Sequence, residues 1–241
     1  MAVMKIDITS DVICPFCLIG VKQMMNAIQK YKTLHSSSSL DFQIRLLPYQ
    51  LNAGLSEQPQ TRLDYYKRKF GEDRAEQIVE SMGGRFAELG YKADFSGEIS
   101  QTHLAHRLQT YALLQGPAKQ LPLAMDIFEG FHCNRKHPSD RPWLASLAAK
   151  HGIFASEEVA LKWLDGEECD LEVKKAYAMA QKLGVTGVPF FVFQDKYAAS
   201  GAMGEDEFVK LLEEIEKRES LNSKDAKGEN VAPVIGDMCK W

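Results

Sequence analysis

Two cysteines stand two residues apart in Cys14-Pro15-Phe16-Cys17, directly after a segment with strand alternation. A helix that begins at Pro15 would bring unpaired N–H groups and its positive end to the Cys14 sulfur, which favours a thiolate over a thiol. We expect the N–H groups of Phe16 and Cys17 to point at that sulfur. Cys17 would then lie on the same helix face, close enough to attack a mixed disulfide on Cys14. The spacing therefore favours thiol-disulfide exchange.

Two other interpretations of this cysteine pair stay open from the residues alone. A zinc site needs two further ligands at suitable spacing, but Cys133, Cys169 and Cys239 stand singly. His132 and Cys133 are adjacent, and adjacent side chains do not converge on one metal ion. A structural disulfide is the other alternative, although five cysteines in 241 residues are not typical of a disulfide scaffold. We expect no metal, and we expect these three cysteines to be structural or incidental.

The bulk composition is that of an ordinary globular protein. The chain has 241 residues, 45% hydrophobic and 26% charged, enough for one large domain or one domain with an insertion. A net charge of -4 gives no electrostatic footprint for nucleic acid, and no apolar run approaches the roughly 20 residues of a membrane helix. The odd number of cysteines and the lack of an apolar signal-peptide core predict a reducing, cytoplasmic compartment.

The N-terminal segment shows a strand pattern, then a helical pattern and then a second strand pattern. Apolar alternation predicts a strand on each side of a helix of about four turns, and Pro48 ends the second strand. The residues that carry these patterns are Ile6 and Ile8, then Val21, Met24, Met25 and Ile28, then Phe42, Ile44 and Leu46. The order β-α-β favours a parallel pair with a right-handed crossover.

Helical patterns fill the chain from about residue 61 to 180, and strand character then returns. A buried-strand run at 190–193 turns back at 194–196 into 197–200, and a last helix follows around Phe208 and Ile215. The predicted fold is α/β: a thioredoxin fold, β-α-β … β-β-α, with a large all-helical insertion. We predict a thioredoxin-fold domain from 1–52 and 181–218, an insertion domain at 53–180, and a C-terminal tail at 219–241 with an apolar end at 231–241.

Three residues outside the cysteine pair are candidates for the same site. Pro189 opens a strand, and a cis bond before it would present the Val188 backbone to a substrate chain, although the sequence alone does not set the isomer. Asp11 stands three residues before Cys14 and is a candidate proton relay, the alternative being a loop aspartate that bonds its own backbone. His103 and His106 are spaced to share a helix face, but without a third ligand they do not predict a metal site.

The chain resembles the DsbA family, most closely its intracellular FrnE-like branch. That branch groups with 2-hydroxychromene-2-carboxylate isomerase and kappa-class glutathione transferase. The similar segments are 11–17, 45–52, 105–108, 186–192 and 197–202, so the resemblance covers most of residues 5 to 215. It implies a thioredoxin fold with a helical insertion, a reactive Cys14, a resolving Cys17 and a cis Pro189.

Departures from the relatives narrow the expected chemistry. The transferases and the isomerase place a serine where Cys14 stands, so the retained cysteine pair favours disulfide exchange through the protein itself. The segment Gly201-Ala202-Met203-Gly204 lacks the carboxylate with which the kappa class holds glutathione, so we expect glutathione only as a redox co-substrate. Strong oxidants of the superfamily carry a histidine between the cysteines. Phe16 adds no such charge, so we expect an intermediate reduction potential for the cysteine pair. We also expect the Phe16 ring to make an apolar contact with the substrate.

Two other function classes remain open. One is a glutathione-dependent isomerase or transferase for a small aromatic or polyketide-like substrate, and the other is a non-catalytic thioredoxin-like binding module. For the exchange enzyme, the expected partners are protein or small-molecule thiols and disulfides, with no nucleic acid and no membrane. The sequence leaves a homodimer open.

Overall fold

The computed structural model describes residues 3–225, with side chains through 221. In chain order the elements are β1 (Val3–Ser10), α1 (Pro15–Leu34), β2 (Asp41–Pro48), β3 (Gln60–Thr61), α2 (Arg62–Phe70), α3 (Glu72–Glu88), β4 (Glu98–Ile99), α4 (His103–Leu114), α5 (Pro117–Cys133), α6 (Arg141–Lys150), α7 (Glu157–Leu164), α8 (Asp170–Lys182), β5 (Phe190–Phe193), β6 (Tyr197–Ser200) and α9 (Glu205–Asp225). This is the predicted thioredoxin fold with a mostly helical insertion between β2 and β5.

The central sheet has four strands in the order β2-β1-β5-β6. β1 runs parallel to β2, with Ile6 opposite Ile44, and antiparallel to β5, with Ile8 opposite Phe191. The predicted β5–β6 hairpin is confirmed, and its turn holds Gln194 and Asp195 at φ 53° and 57°. Positive φ at both central positions gives the turn the twist that flanking strands favour. The predicted parallel β1–β2 pair is likewise confirmed.

Helices α1 and α9 pack together beside the sheet, and apolar side chains from both are buried there. The Phe208 ring of α9 lies 4.9 Å from the Phe191 ring of β5. Gly20 of α1 sits so close to the sheet that an added Cβ would lie 2.8 Å from Pro189 Cγ. The absence of a side chain at Gly20 therefore lets α1 approach the segment that precedes β5.

The insertion is attached to the sheet through a buried glutamine of α5. Gln120 Oε1 accepts from the Leu46 backbone N–H at 2.8 Å, and Gln120 Nε2 donates to the Leu46 carbonyl at 2.7 Å. β2 is an edge strand, whose outer backbone groups would lack strand partners. The Gln120 side chain provides hydrogen-bond partners for the Leu46 N–H and carbonyl and so connects α5 to β2.

The structure differs from the sequence-based expectations in three details. α1 has 20 residues, more than the expected four turns, and a two-residue pair, β3–β4, lies within the otherwise helical insertion. Such short strands carry no alternation that a sequence pattern can reveal. α9 continues through Asp225, past the predicted boundary at 218. The remainder of the predicted tail, 226–241, lies outside the described residues, as does Cys239, and the division into domains stays a prediction.

None of the helices within residues 3–225 is both long and apolar enough to cross a membrane.

Candidate active site at the Cys14 and Cys17 thiols

The two thiols lie at the start of α1 but differ in their access to solvent. Cys14 is the N-cap residue and is 5% exposed, whereas Cys17 in the first turn is 0% exposed. The Cys14 N–H donates to the Asp11 carbonyl at 3.1 Å, which closes the turn between β1 and α1. Both cysteines are free thiols in this structure. Both residues are therefore buried, and Cys14 retains a small exposed fraction that Cys17 lacks.

The Cys14 side chain does not have the partners that we expected from the sequence. It receives no capping hydrogen bond, because the Cys17 N–H donates to the Cys14 carbonyl at 3.1 Å and closes the first helical turn instead. The Cys14 Sγ instead donates to the Val188 carbonyl at 3.4 Å. The expectation that the Cys17 N–H points at the sulfur is therefore wrong, and the thiol is directed towards the segment before β5.

That segment brings Val188 and Pro189 to the cysteine pair. The Val188–Pro189 peptide is cis, the isomer that the family resemblance implies. The Pro189 carbonyl accepts from the Gly201 N–H at 2.9 Å, which fixes the entrance to β5. Val188 is half-buried, and its carbonyl oxygen faces Cys14. The structure thus places the segment of the two predicted substrate-binding residues beside the Cys14 sulfur.

Asp11 is completely buried behind the cysteines. Its Oδ2 accepts from the Leu51 N–H at 2.8 Å, and the Val12 and Ile13 backbone N–H groups also act on its carboxylate. Burial is the larger effect and raises the pKa of Asp11 to about 7. Asp11 therefore accepts hydrogen bonds from nearby backbone, as expected of a loop aspartate. It also has the near-neutral pKa that a proton relay needs.

Cys17 is a poor acid in this environment. Burial raises the pKa of Cys17 well above its usual value, and the neighbouring Cys14 raises it further. The Asp11 backbone lowers the Cys17 pKa, while the charge of the Asp11 carboxylate raises it. Since a thiolate is the attacking species in disulfide exchange, a thiol in this environment would attack only with a base that accepts its proton.

Sequence patterns did not identify His132 as part of this region. His132 of α5 is fully buried, and its Nε2 donates to the Val12 carbonyl at 3.1 Å, across 120 positions of sequence. Burial lowers the pKa of His132 well below its usual value, so the ring is neutral. It holds the turn that carries Cys14. Its only sequence signal was its adjacency to Cys133, which bears on metal binding and not on this contact.

Phe16 is the exposed member of the active-site loop. Its side chain is 38% exposed, and the Arg85 guanidinium of α3 lies 5.5 Å from its ring centre. An apolar ring beside a reactive thiol offers contact area to an incoming substrate. The predicted loop residues Pro15 and Phe16 therefore lie at the mouth of the site.

The other candidate groups of the sequence are two further cysteines and two histidines. Cys133 and Cys169 are half-buried, and burial raises the pKa of Cys133 to about 11 and that of Cys169 in the same direction. His103 and His106 share a face of α4, but both hydrogen bond to Tyr177. Among residues 3–225, no three His, Cys, Asp or Glu side chains are grouped to hold a metal ion.

Comparison with known proteins gives one family match over most of the chain. The model of the DSBA-like thioredoxin domain matches residues 5–215. A probable DsbA oxidoreductase from Streptomyces coelicolor superposes with a TM-score of 0.75 at 25% identity, covering 98% of this chain and 94% of the other.

Two more distant structures show the same fold. The cytosolic disulfide reductase DsbM from Pseudomonas aeruginosa, of which a structure with GSH also exists, has a TM-score of 0.53 at 18% identity, covering 88% of this chain and 98% of the other. A 2-hydroxychromene-2-carboxylate isomerase has a TM-score of 0.54 at 14% identity, covering 92% and 98%.

Proposed function

The chain belongs to the DSBA-like thioredoxin domain family, and we propose that it is a thiol-disulfide oxidoreductase or isomerase acting through a mixed disulfide on Cys14. The observation that carries this proposal is the pairing of Cys14, which is 5% exposed at a helix start, with a fully buried Cys17 one turn later. An incoming sulfur reaches Cys14 first. Cys17 lies behind it, where only an intramolecular partner has access.

The proposed reduction of a substrate proceeds in two exchanges. The Cys14 thiolate attacks one sulfur of the substrate disulfide, so that a Cys14–substrate disulfide forms, the substrate S–S bond breaks, and the other substrate sulfur leaves as a thiolate that takes a proton from solvent. The Cys17 thiolate then attacks the Cys14 sulfur and releases the second substrate thiol. Two electrons pass from the cysteine pair to the substrate, and a Cys14–Cys17 disulfide remains. Oxidation of a dithiol substrate is the reverse sequence.

Within this mechanism, Asp11 is the base for Cys17. The raised pKa of Cys17 requires a proton acceptor, and the Asp11 carboxyl, with its pKa of about 7, changes charge in the neutral range. The burial of Asp11 excludes bulk water as a competing partner. The charge of Asp11 acts on Cys17, and this interaction supports the relay over a purely local role for the Asp11 side chain.

The surroundings of Cys14 favour substrates that carry a backbone or an apolar group beside the sulfur. The half-buried Val188 and the buried Pro189 after it offer a chain edge, and the exposed Phe16 ring offers apolar contact. We propose protein or small-molecule thiols and disulfides as partners, with glutathione as a redox co-substrate. We also propose the reducing cytoplasm as its compartment, in line with the cytosolic neighbour DsbM.

The test is exchange and trapping with the full-length protein. We expect the wild type to reduce insulin disulfides and Cys14→Ser to lose this activity. Cys17→Ser is expected to stop at a stable mixed disulfide on Cys14. Cys133→Ser is the matched control and retains activity, because that thiol lies outside the site. Absence of insulin reduction and of oxidation of a reduced peptide by the wild type would contradict the proposal.

The same variants separate disulfide exchange from the glutathione-dependent isomerase or transferase alternative. A glutathione-activating enzyme would keep its activity in Cys17→Ser and lose it in Cys14→Ser, and only a small thiol adduct would accumulate. A binding module would function without either cysteine. Mass spectrometry of the adducts trapped on Cys14 in cells tells these outcomes apart.

A further inference from the structure

Two buried polar atoms lie close together where the thioredoxin core meets the insertion. Asp11 Oδ1 and His106 Nε2 lie 3.4 Å apart, and the two side chains are 0% and 2% exposed. Within the described part of the chain neither atom forms a well-aligned hydrogen bond, to the other or to a third group, although Thr102 and the backbone N–H groups of Val12 and Ile13 also act on the Asp11 carboxylate. Buried polar atoms are seldom left unpaired, because an unmade hydrogen bond costs about 1–3 kcal/mol. One proton placed between these two atoms satisfies both.

From His106 a line of polar side chains leads to the protein surface. His106 Nδ1 is 2.7 Å from Tyr177 Oη, and Tyr177 Oη is 3.4 Å from His103 Nδ1. His103 Nε2 is 2.8 Å from Asp170 Oδ1. The side chains of His103 and Asp170 are 20% and 32% exposed, so the outer end of the line reaches solvent, whereas Asp11 and His106 at its inner end are buried. The line crosses from the β1–α1 turn through α4 to the start of α8.

One assignment of protons gives every link one donor and one acceptor. Burial lowers the pKa of His106 to about 3, so its ring is neutral and carries a single N–H. With that hydrogen on Nδ1, His106 donates to Tyr177, Tyr177 donates to His103, and His103 Nε2 donates to Asp170. His106 Nε2 is then an acceptor that faces the protonated Asp11. This tautomer follows from the network of partners.

We propose that Asp11, His106, Tyr177, His103 and Asp170 form a proton-transfer chain between the buried cysteine pair and solvent at the surface of the insertion. The proposal rests on the proposed exchange function, in which Cys17 gives its proton to Asp11. These four further residues are the route by which Asp11 discharges that proton. The insertion thereby takes part in the chemistry of the thioredoxin core.

Each step of the transfer moves one proton from a donor to an acceptor. Asp11 releases the proton from Oδ1 to His106 Nε2, His106 passes its Nδ1 proton to Tyr177, and Tyr177 passes its own to His103 Nδ1. His103 then passes its Nε2 proton to Asp170, which releases it to solvent. No bond between heavy atoms changes and no electron moves. Burial raises the pKa of Tyr177, so its hydroxyl hands on a proton as it accepts one and does not ionise.

Few other charges face this line. Lys174 of α8 bonds Asp170 at 2.8 Å and holds the outer carboxylate in place. On the adjoining turn Arg107 lies 3.9 Å from Glu168. Neither of these ion pairs includes the buried Asp11. In the proposed chain, release of the Asp11 proton therefore depends on His106, Tyr177 and His103.

The test measures the two exchange steps separately with 5,5′-dithiobis(2-nitrobenzoic acid). Full-length protein with Cys133, Cys169 and Cys239 replaced by serine keeps only the active-site thiols. Stopped-flow absorbance follows a first release of nitrothiobenzoate, from attack by Cys14, and a second, from attack by Cys17. Tyr177→Phe removes the central hydroxyl and keeps the ring. We expect the second step to slow by about tenfold or more while the first stays unchanged.

Tyr111→Phe is the matched control, because the Tyr111 ring lies on the same helix as the histidines but stacks on Phe154. It is expected to leave both steps unchanged. His103→Ala is a second variant nearer the surface, with the same expected slowing and with recovery on addition of imidazole. Recovery by a free base would not follow from a merely structural role of this side chain.

The outcomes separate this proposal from the exchange function. A second step of wild-type speed in folded Tyr177→Phe, or slowing in His103→Ala that imidazole does not relieve, overturns the proton-transfer chain. The probe reacts with the thiols whatever the natural substrate is, so failure to reduce insulin would contradict the proposed function and leave this measurement intact.

Discussion

The Cys14 sulfur lies 3.4 Å from the Val188 carbonyl oxygen, although 174 positions separate the two residues. The pairing of β1 with β5 causes this proximity, since Thr9 stands opposite Phe190 at the same end of the sheet. The chain leaves β1 towards the thiols and enters β5 from Val188 at that end. The site is therefore composite, with its sulfur on one side of the insertion and its chain edge on the other.

Gly20→Ala is predicted to destabilise the protein. The added Cβ would lie 2.8 Å from Pro189 Cγ and 3.3 Å from the Phe191 ring, so α1 has to shift away from the sheet. We expect a loss of about 1–3 kcal/mol in the free energy of unfolding, measured with urea. Gly84→Ala in α3 is the matched control, because an added Cβ there meets nothing within 4 Å. It is expected to stabilise by about 0.5–1 kcal/mol, and equal effects of the two substitutions would contradict the packing argument.

Asp11→Asn is predicted to change how stability depends on pH. The folded pKa of Asp11, about 7, lies above its ordinary value of 3.8, so between these values only the unfolded state loses the proton. The wild type therefore loses stability as pH rises from about 4 to about 7, by at most about 4 kcal/mol, and asparagine removes this loss. Urea unfolding at a series of pH values under reducing conditions measures the growing difference between the two proteins.

Asp94→Asn provides the comparison for that experiment. Ser96 and Arg135 hold the pKa of Asp94 at about 2, so this carboxylate is ionised in both states near neutral pH. Its substitution is expected to shift stability by the same amount throughout the range from about pH 5 to 8. If the free energies of unfolding of wild type and Asp11→Asn differ by a constant amount over that pH range, the pKa of Asp11 is not raised as described.

Phe16→His is predicted to make the protein a stronger oxidant. A protonated imidazole beside Cys14 stabilises the thiolate and thus the reduced form, whereas phenylalanine provides no charge. We expect the equilibrium constant with glutathione to shift by about tenfold, which is about 30 mV for a two-electron couple. Equilibration in glutathione buffers measures the shift, and Phe16→Leu is the neutral control. A potential that stays the same or becomes more negative would refute this prediction.

Gln120→Ala is predicted to weaken the attachment of the insertion to the sheet. The Leu46 N–H and carbonyl both lose their buried side-chain partner, and the Gln109 carbonyl loses a donor at 3.2 Å. The expected loss is about 2–4 kcal/mol in the free energy of unfolding. Gln77→Ala on the exposed face of α3 should be nearly neutral. Similar midpoints for both variants in urea would show that this contact contributes little.

The sequence by itself determined the features that depend on neighbouring residues. Strand alternation predicted β1, β2 and the β5–β6 hairpin, helical spacing predicted α1 and α9, and the cysteine spacing predicted two thiols at a helix start. Each of these follows from local periodicity or from residues within one turn. The family resemblance added the expectation that Pro189 belongs to the same site.

Tertiary structure alone decided which groups share the interior with the thiols. The burial of Asp11, the contact between His132 and Val12, and the line from His106 to Asp170 join residues from distant segments. No local pattern encodes such contacts, because they depend on how the insertion packs against the core. Burial then sets the chemistry: the removal of water raises the Asp11 pKa and lowers the His106 pKa, and neither shift follows from residue type.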